Sequence, residues 1–194
     1  INGVTTIKPN DKIGMRFSGG AYGSDEFDNT RLTSLEANYR QNPKGGKINA
    51  ERLAKVHEGG QVGAEFSYVE NRQNEMYPTA AIVKSDYNTY SGKISYGLES
   101  KAGLTEATIY RNTMAAAENE ERLGFIKAEN NVLVAKLQHL IKPSGNHALR
   151  FAGEYRENDM NSTPLNQGGV VKYQVGSFGT MWDWKMTDMF SLVN

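Results

Sequence analysis

His147-Ala-Leu-Arg-Phe-Ala-Gly-Glu-Tyr-Arg156 is the stretch whose reading decides the fold. Leu149, Phe151, Gly153 and Tyr155 fall on one parity, and Ala148, Arg150, Ala152, Glu154 and Arg156 on the other. Successive side chains of a strand point to opposite faces. One face of this ribbon is therefore apolar and ends in a tyrosine, while the other carries three charges. A helix would mix the two sets on every side.

The same alternation recurs along the chain. Ile13, Met15 and Phe17 oppose Gly14, Arg16 and Ser18, and Leu35, Ala37 and Tyr39 oppose Ser34, Glu36 and Asn38. Val62, Ala64, Phe66 and Tyr68 oppose Gly63, Glu65 and Ser67. Tyr90, Gly92, Ile94, Tyr96 and Leu98 oppose Ser91, Lys93, Ser95 and Gly97, and only Lys101-Ala102-Gly103 separates that segment from Leu104–Asn112, as in a tight hairpin. Asn131–Ile141 alternates, Lys142–Asn146 is a turn, and Gly169–Met186 is a long strand whose parity shift between Val175 and Phe178 suggests a bulge. A last strand begins at Met189.

Five stretches break the pattern. Ser24–Thr30 reads as an acidic loop, and Gln41–Gly60 as a long connection with up to two helical turns over Ile48–Val56. Asn71–Asn88, which contains Pro78, and Asn158–Gly168 read as polar loops. Thr113–Glu129 is rich in Ala and Glu and reads as a solvated loop with a transient helical turn. The sum is about nine strands of about ten residues, with short turns alternating with long loops. That is the layout of an antiparallel transmembrane β-barrel. Ten residues at ~3.3 Å, tilted roughly 45°, span about 23 Å, close to the ~25 Å apolar band of such barrels.

Composition narrows the function. The 194 residues include 22 basic and 22 acidic ones, a balance that lacks the basic patch of a nucleic-acid binder. There is no cysteine, which excludes a disulfide scaffold, a thiolate metal site and a cysteine nucleophile. His57, His139 and His147 are far apart and have no metal-ligand spacing. No nucleophile elbow, phosphate-cradling loop or paired carboxylates stand out, so neither an enzyme nor a cofactor is expected. A soluble β-sandwich would hide its apolar parity in a core, but its strands would be shorter. Its strands would not carry Arg16, Glu36, Glu65, Lys93, Lys136, Arg150, Glu154 and Arg156 in their interiors. Those eight are the expected lumen-facing wall. Tyr90, Tyr155, Trp182 and Trp184 gather towards strand ends, where interfacial aromatics belong.

Several segments, taken in order, resemble TonB-dependent outer-membrane receptors. Ile1-Asn2-Gly3-Val4 with Thr-Thr-Ile-Lys-Pro is similar to the place where that family's plug ends and its barrel begins. Gly19-Gly20-Ala21-Tyr22-Gly23-Ser24 resembles its first barrel strand, and Asn146–Tyr155 and Gly179–Asn194 resemble later ones. The resemblance implies residues 1–10 as plug-to-barrel connection and 11–194 as part of the transmembrane barrel. It implies a fragment of a receptor whose plug and later strands lie elsewhere, because an isolated nine-strand sheet would leave bare edges in lipid. It also implies residence in the outer membrane of a Gram-negative bacterium. The implied activity is TonB-energised uptake of a scarce ligand such as a ferric siderophore or a vitamin, hence siderophore or iron transport. The implied partners are membrane lipid, TonB acting through the plug, and a small-molecule ligand. Tyr77, Tyr87 and Arg122 are the loop residues placed to touch that ligand. The rival is a small self-contained outer-membrane barrel with a structural or adhesive role. An intact mass near 21.5 kDa would favour the rival, and one several-fold larger the receptor.

Overall fold

A computed structural model describes residues 1–23, 44–76, 82–120, 124–163 and 169–194. They form one antiparallel sheet whose strand order follows the chain order. The strands are β1 Asn2–Asn10, β2 Ile13–Gly23, β3 Lys44–His57, β4 Gly60–Met76 and β5 Ile82–Ser100. They continue with β6 Gly103–Glu120, β7 Gly124–Ser144, β8 His147–Ser162, β9 Val170–Lys185 and β10 Ser191–Val193. Short turns close β1–β2, β3–β4, β5–β6, β7–β8 and β9–β10 at one end. The opposite strand ends, among them Gly23, Lys44, Met76 and Ile82, lie at the other.

The turn chemistry is local. Gly59 and Gly103 sit at φ of 73° and 124°, where only glycine is unstrained. A Cβ on Gly103 would also lie 2.1 Å from the Leu140 carbonyl oxygen. Pro9 lacks a donor, and the β1–β2 register breaks between Ile7 and Asn10 around it. The hairpins are progressively offset. Ile13 pairs with Ala54 although β3 runs on to His57, and Leu104 pairs with Leu140 although β7 runs on to Ser144. Such stagger accompanies strand tilt in a barrel wall.

Several expectations need correction. The expected plug-to-barrel connection at 1–10 includes strand β1, Asn2–Asn10, paired along β2. The stretch read as a helix-bearing connection, Gln41–Gly60, holds β3. Within the stretch read as a polar loop at Asn71–Asn88, Asn71–Met76 continues β4 and Ile82–Asn88 begins β5. Thr113–Glu120 belongs to β6, Gly124–Glu129 to β7 and Asn158–Ser162 to β8. No bulge interrupts β9, since Val175 to Phe178 pair in unbroken register with Arg156 to Gly153. The strand expected at 31–40 and the loop at 24–30 lie outside the described residues. Strands of 17, 19, 18 and 21 residues, β4 to β7, are about twice the length expected.

Directly paired residues of an antiparallel sheet share a face. Following the register from Phe17 gives Ala50, Phe66, Gly92 and Arg111, and from Ile94 gives Ile109, Ala135 and Tyr155. This face is convex. The opposite, concave face holds two cavities of about 700 and 600 Å³. Of the buried side chains, Val83, Ser85, Ala116, Val134 and Ser162 belong to the concave parity and Thr113 to the convex.

Candidate functional site: the concave wall

One rung crosses the sheet through Thr6, Arg16, Glu51, Glu65, Lys93, Tyr110, Val134, Arg156 and Val175. Its charges run plus, minus, minus, plus over β2 to β5. Glu51 and Glu65 would repel each other side by side, and the flanking cations offset this. Lys93 Nζ lies 2.8 Å from Glu65 Oε1. The next rung towards the short turns holds Lys136 and Glu154, whose Nζ and Oε2 are 2.8 Å apart, and Arg156 Nε reaches the other Glu154 oxygen at 3.7 Å. Gln138 donates to Glu106 one rung further along. All of these side chains remain part-exposed, so solvent screens the pairs and they add little to stability. Their weight is in presenting fixed charge to whatever fills the concavity. The smaller cavity is bordered by Glu51, Glu65, Lys93 and Tyr110, the larger by Leu53, Gly63, Glu154 and Ser177.

The register thus brings Arg16, Glu65, Lys93, Lys136, Arg150, Glu154 and Arg156 onto one face. Glu36, Tyr77 and Arg122 lie outside the described residues. Tyr87, expected on a loop, stands instead in β5, half-buried on the concave face, with its hydroxyl 3.4 Å from Glu118. Glu51, Glu106 and Tyr110 were missed. Glu106 and Tyr110 share the parity of Thr108 in a segment read as a strand, so alternation alone could have found them. Glu51 was hidden by the helical reading of its segment.

The convex face is graded along its height. Phe66, Ile94, Ile109 and Leu137 are 52%, 58%, 47% and 56% exposed on contiguous rungs, more open apolar surface than a water-soluble domain leaves. Aromatics rim this band. At the short-turn end His147 stacks on Trp182 and Trp184, with centroids 5.8 and 5.6 Å away, and Tyr96 hydroxyl meets His57 Nε2 at 3.0 Å. His139 Nδ1 pairs with the Thr105 hydroxyl at 2.9 Å, so the three histidines serve separate convex-face contacts. At the other rim Tyr68 pairs across strands with Tyr90, and Tyr155 donates to Glu157 at 3.0 Å. Tyr90 and Tyr155 are not at strand ends, as expected, because β5 and β8 run on past them.

Beyond the upper tyrosines the convex face turns charged. Arg72 bridges Glu70 and Asp86 at 2.8 and 3.3 Å. Lys172 Nζ lies 2.9 Å from Glu157 and 3.9 Å from Asp159. Glu157 also accepts from Gln174 at 2.6 Å. The Lys172 hydrogen bond, then those of Gln174 and Tyr155, hold the Glu157 carboxyl down at about 2. The same bond from Glu157 pushes the Lys172 ammonium up.

No family model and no curated protein matches the sequence. Solved structures match the fold. The chain aligns over 96% of its length with the alcaligin outer membrane receptor FauA from Bordetella pertussis, at TM-score 0.69 and 10% identity, covering 32% of that chain. It aligns over its whole length with the outer membrane transporter YddB from Escherichia coli, at TM-score 0.70 and 9% identity, covering 31% of that chain. The ferric citrate transporter FecA, in its unliganded form, gives TM-score 0.59 and 12% identity over 99% of this chain and 34% of that one. The fold is therefore that of part of the wall of an antiparallel outer-membrane β-barrel. The chain spans about a third of the length of these proteins.

Proposed function

We propose that the chain is a section of the barrel of a TonB-dependent outer-membrane receptor. Such a receptor takes up a scarce ligand, of the ferric-siderophore or vitamin kind, through a plugged barrel energised by TonB. Residues 11–194 are the transmembrane wall on this reading, and the segment up to residue 10 follows the plug. The convex face meets lipid and the concave face meets the plug and the ligand path. No catalytic chemistry is assigned to it.

One observation carries the reading: the register separates an aromatic-rimmed apolar band from a charged wall, with Arg52 and Arg111 as the two cations on the side of the band. From Tyr90 to Leu98 the convex residues of β5 span nine positions, and so do those of β8 from His147 to Tyr155. That is the ~9–11 residues a tilted strand needs to cross the hydrocarbon core. Similarity to the barrels of outer-membrane transporters supports it. The charged pairs of the concave wall suit a polar plug better than lipid, because a charge at the bilayer midplane costs ~2–4 kcal/mol.

The test is genetic and biochemical together. The intact protein should fractionate with outer membranes and resist carbonate extraction. Growth that depends on it, under iron or vitamin limitation, should disappear when tonB is deleted. Growth support that persists without TonB would defeat the uptake reading while leaving the barrel in place.

A further inference from the structure

Arg52 stands on the face opposite to the charged wall. It pairs with Met15 and Ala64, so it shares the convex side with the apolar band, and it is exposed there. Its same-face neighbours along β3 are Ala50 and Ala54. The three alanines leave the guanidinium in a shallow notch, and Phe17 and Phe66 stand exposed on the next rung, either side of Ala50. No hydrogen bond or ion pair engages the Arg52 side chain among the described residues. Arg111, the other cation of the band, differs. It lies on the rung next to that of Tyr90 and Thr113, at the rim, and donates to Asn131 at 3.3 Å. Beyond the rim Arg72 and Lys172 each meet two carboxylates.

Arg52 is also out of reach of the headgroups. Ile48, on the rim rung of Tyr68 and Tyr90, lies four positions up the strand, and His57, at the short turn, five positions down. At ~3.3 Å per residue and a tilt of roughly 45° these are about 9 and 12 Å of height. Six zigzag bonds of ~1.5 Å carry an arginine only about 7 Å. A charge held at that depth pairs with another group inside the membrane. Over β2 to β7, among the described residues, no carboxylate stands on the convex face between the Tyr68–Tyr90 rung and the short turns. This wall therefore supplies no counter-ion of its own. A second copy presenting the same face would set arginine against arginine.

We propose that the β2–β4 face around Arg52 docks a membrane-embedded segment of another protein, which brings an aspartate or glutamate to mid-height in the bilayer. A carboxylate meets a guanidinium through two parallel hydrogen bonds, and the alanine notch lets the partner's backbone come close. Leucine at this position would suit lipid better, so the arginine weakens the lone barrel and strengthens the complex. The proposal goes beyond uptake and rests only on the convex face being the membrane face.

The experiment uses the intact receptor. In phosphatidylcholine liposomes at about pH 9, where a carboxyl buried in the bilayer still ionises, the probe is a membrane-spanning Leu-Ala helix of ~20 residues with one central Glu. Helices with Gln or Lys in its place are the controls. Energy transfer from a donor on Lys101→Cys reads association, and heat-modifiable gel mobility shows that each barrel is folded. The Glu helix should bind about tenfold or more tighter than the Gln helix. Arg52→Leu should erase that preference and Arg52→Lys keep it. Equal binding of the two helices, or a preference that survives Arg52→Leu, would overturn the proposal and leave the barrel reading standing. In native outer membranes, Ala54→benzoylphenylalanine should crosslink to a protein segment that carries Asp or Glu within an apolar stretch. Arg52→Leu should abolish that adduct, and Arg52→Glu should restore it only when the partner's carboxylate is replaced by Arg. Adducts to lipid alone, or to a second copy of the receptor, would equally overturn the proposal.

Discussion

Arg150 and Phe151 are neighbours in sequence with opposite surroundings. Phe151 pairs with His139 and Thr180 on the convex face, and Arg150 lies on the concave face with Met181. Phe151→Arg should therefore lower barrel stability by ~2–4 kcal/mol, read as a lower urea midpoint in liposomes, while Arg150→Leu leaves assembly intact. Glu157 makes a pH prediction of definite sign. Its carboxyl is held at about 2 against an ordinary 4.5, by Lys172 first. A depressed carboxylate stabilises the fold above its unfolded value, and that contribution fades as pH falls from 4.5 through about 2. Carbonyl-carbon NMR of labelled glutamate should show a carboxylate still ionised at pH 3 that Glu157→Gln removes. Gly103→Ala should disrupt the β5–β6 turn, since both its φ of 124° and the nearby Leu140 carbonyl exclude a Cβ.

At the scale of the strand, β3 shows why alternation fails. Ile48, Ala50, Ala54 and Val56 face the convex side and Asn49, Glu51 and Lys55 the concave, but Arg52 and Leu53 are exchanged. That one inversion gives Leu53 and Val56 a helix-like spacing and conceals the strand. Arg52 pairs with Met15 and Ala64, so Arg52→Leu should stabilise the barrel, by at most ~2–4 kcal/mol if the position sits near the midplane. A denaturation midpoint below wild type would contradict this. The upper halves of β4 to β8 were unreadable for another reason. Past Tyr68, Tyr90 and Tyr155 both faces are polar, as at Glu70, Asn71 and Arg72, so no period-two signal survives although the ladder continues. Hydrogen exchange should nevertheless protect amides from Asp86 to Ala117 along the β5–β6 ladder.

For the whole molecule, the fold was legible because the apolar band is the one region where each face has a single solvent. Seven of the eight wall residues expected from Arg16 to Arg156 share a concave face because parity needs no knowledge of partners. Glu51 and the partnerless carboxamide oxygens of Asn71, Asn130 and Asn158 were not legible, since they depend on register and shielding. The central claim is the assignment of solvents to faces. The chain has no cysteine, so within it one substitution places one nitroxide label. Labels at Arg150→Cys and Phe151→Cys in the liposome-embedded receptor test it directly by collision with oxygen, which concentrates in lipid, and with a water-soluble nickel chelate. The account predicts that the label at 151 is relaxed by oxygen and shielded from nickel, and that the label at 150 shows far weaker oxygen relaxation. Equal nickel accessibility at both positions, or a lipid signature at 150, would contradict it.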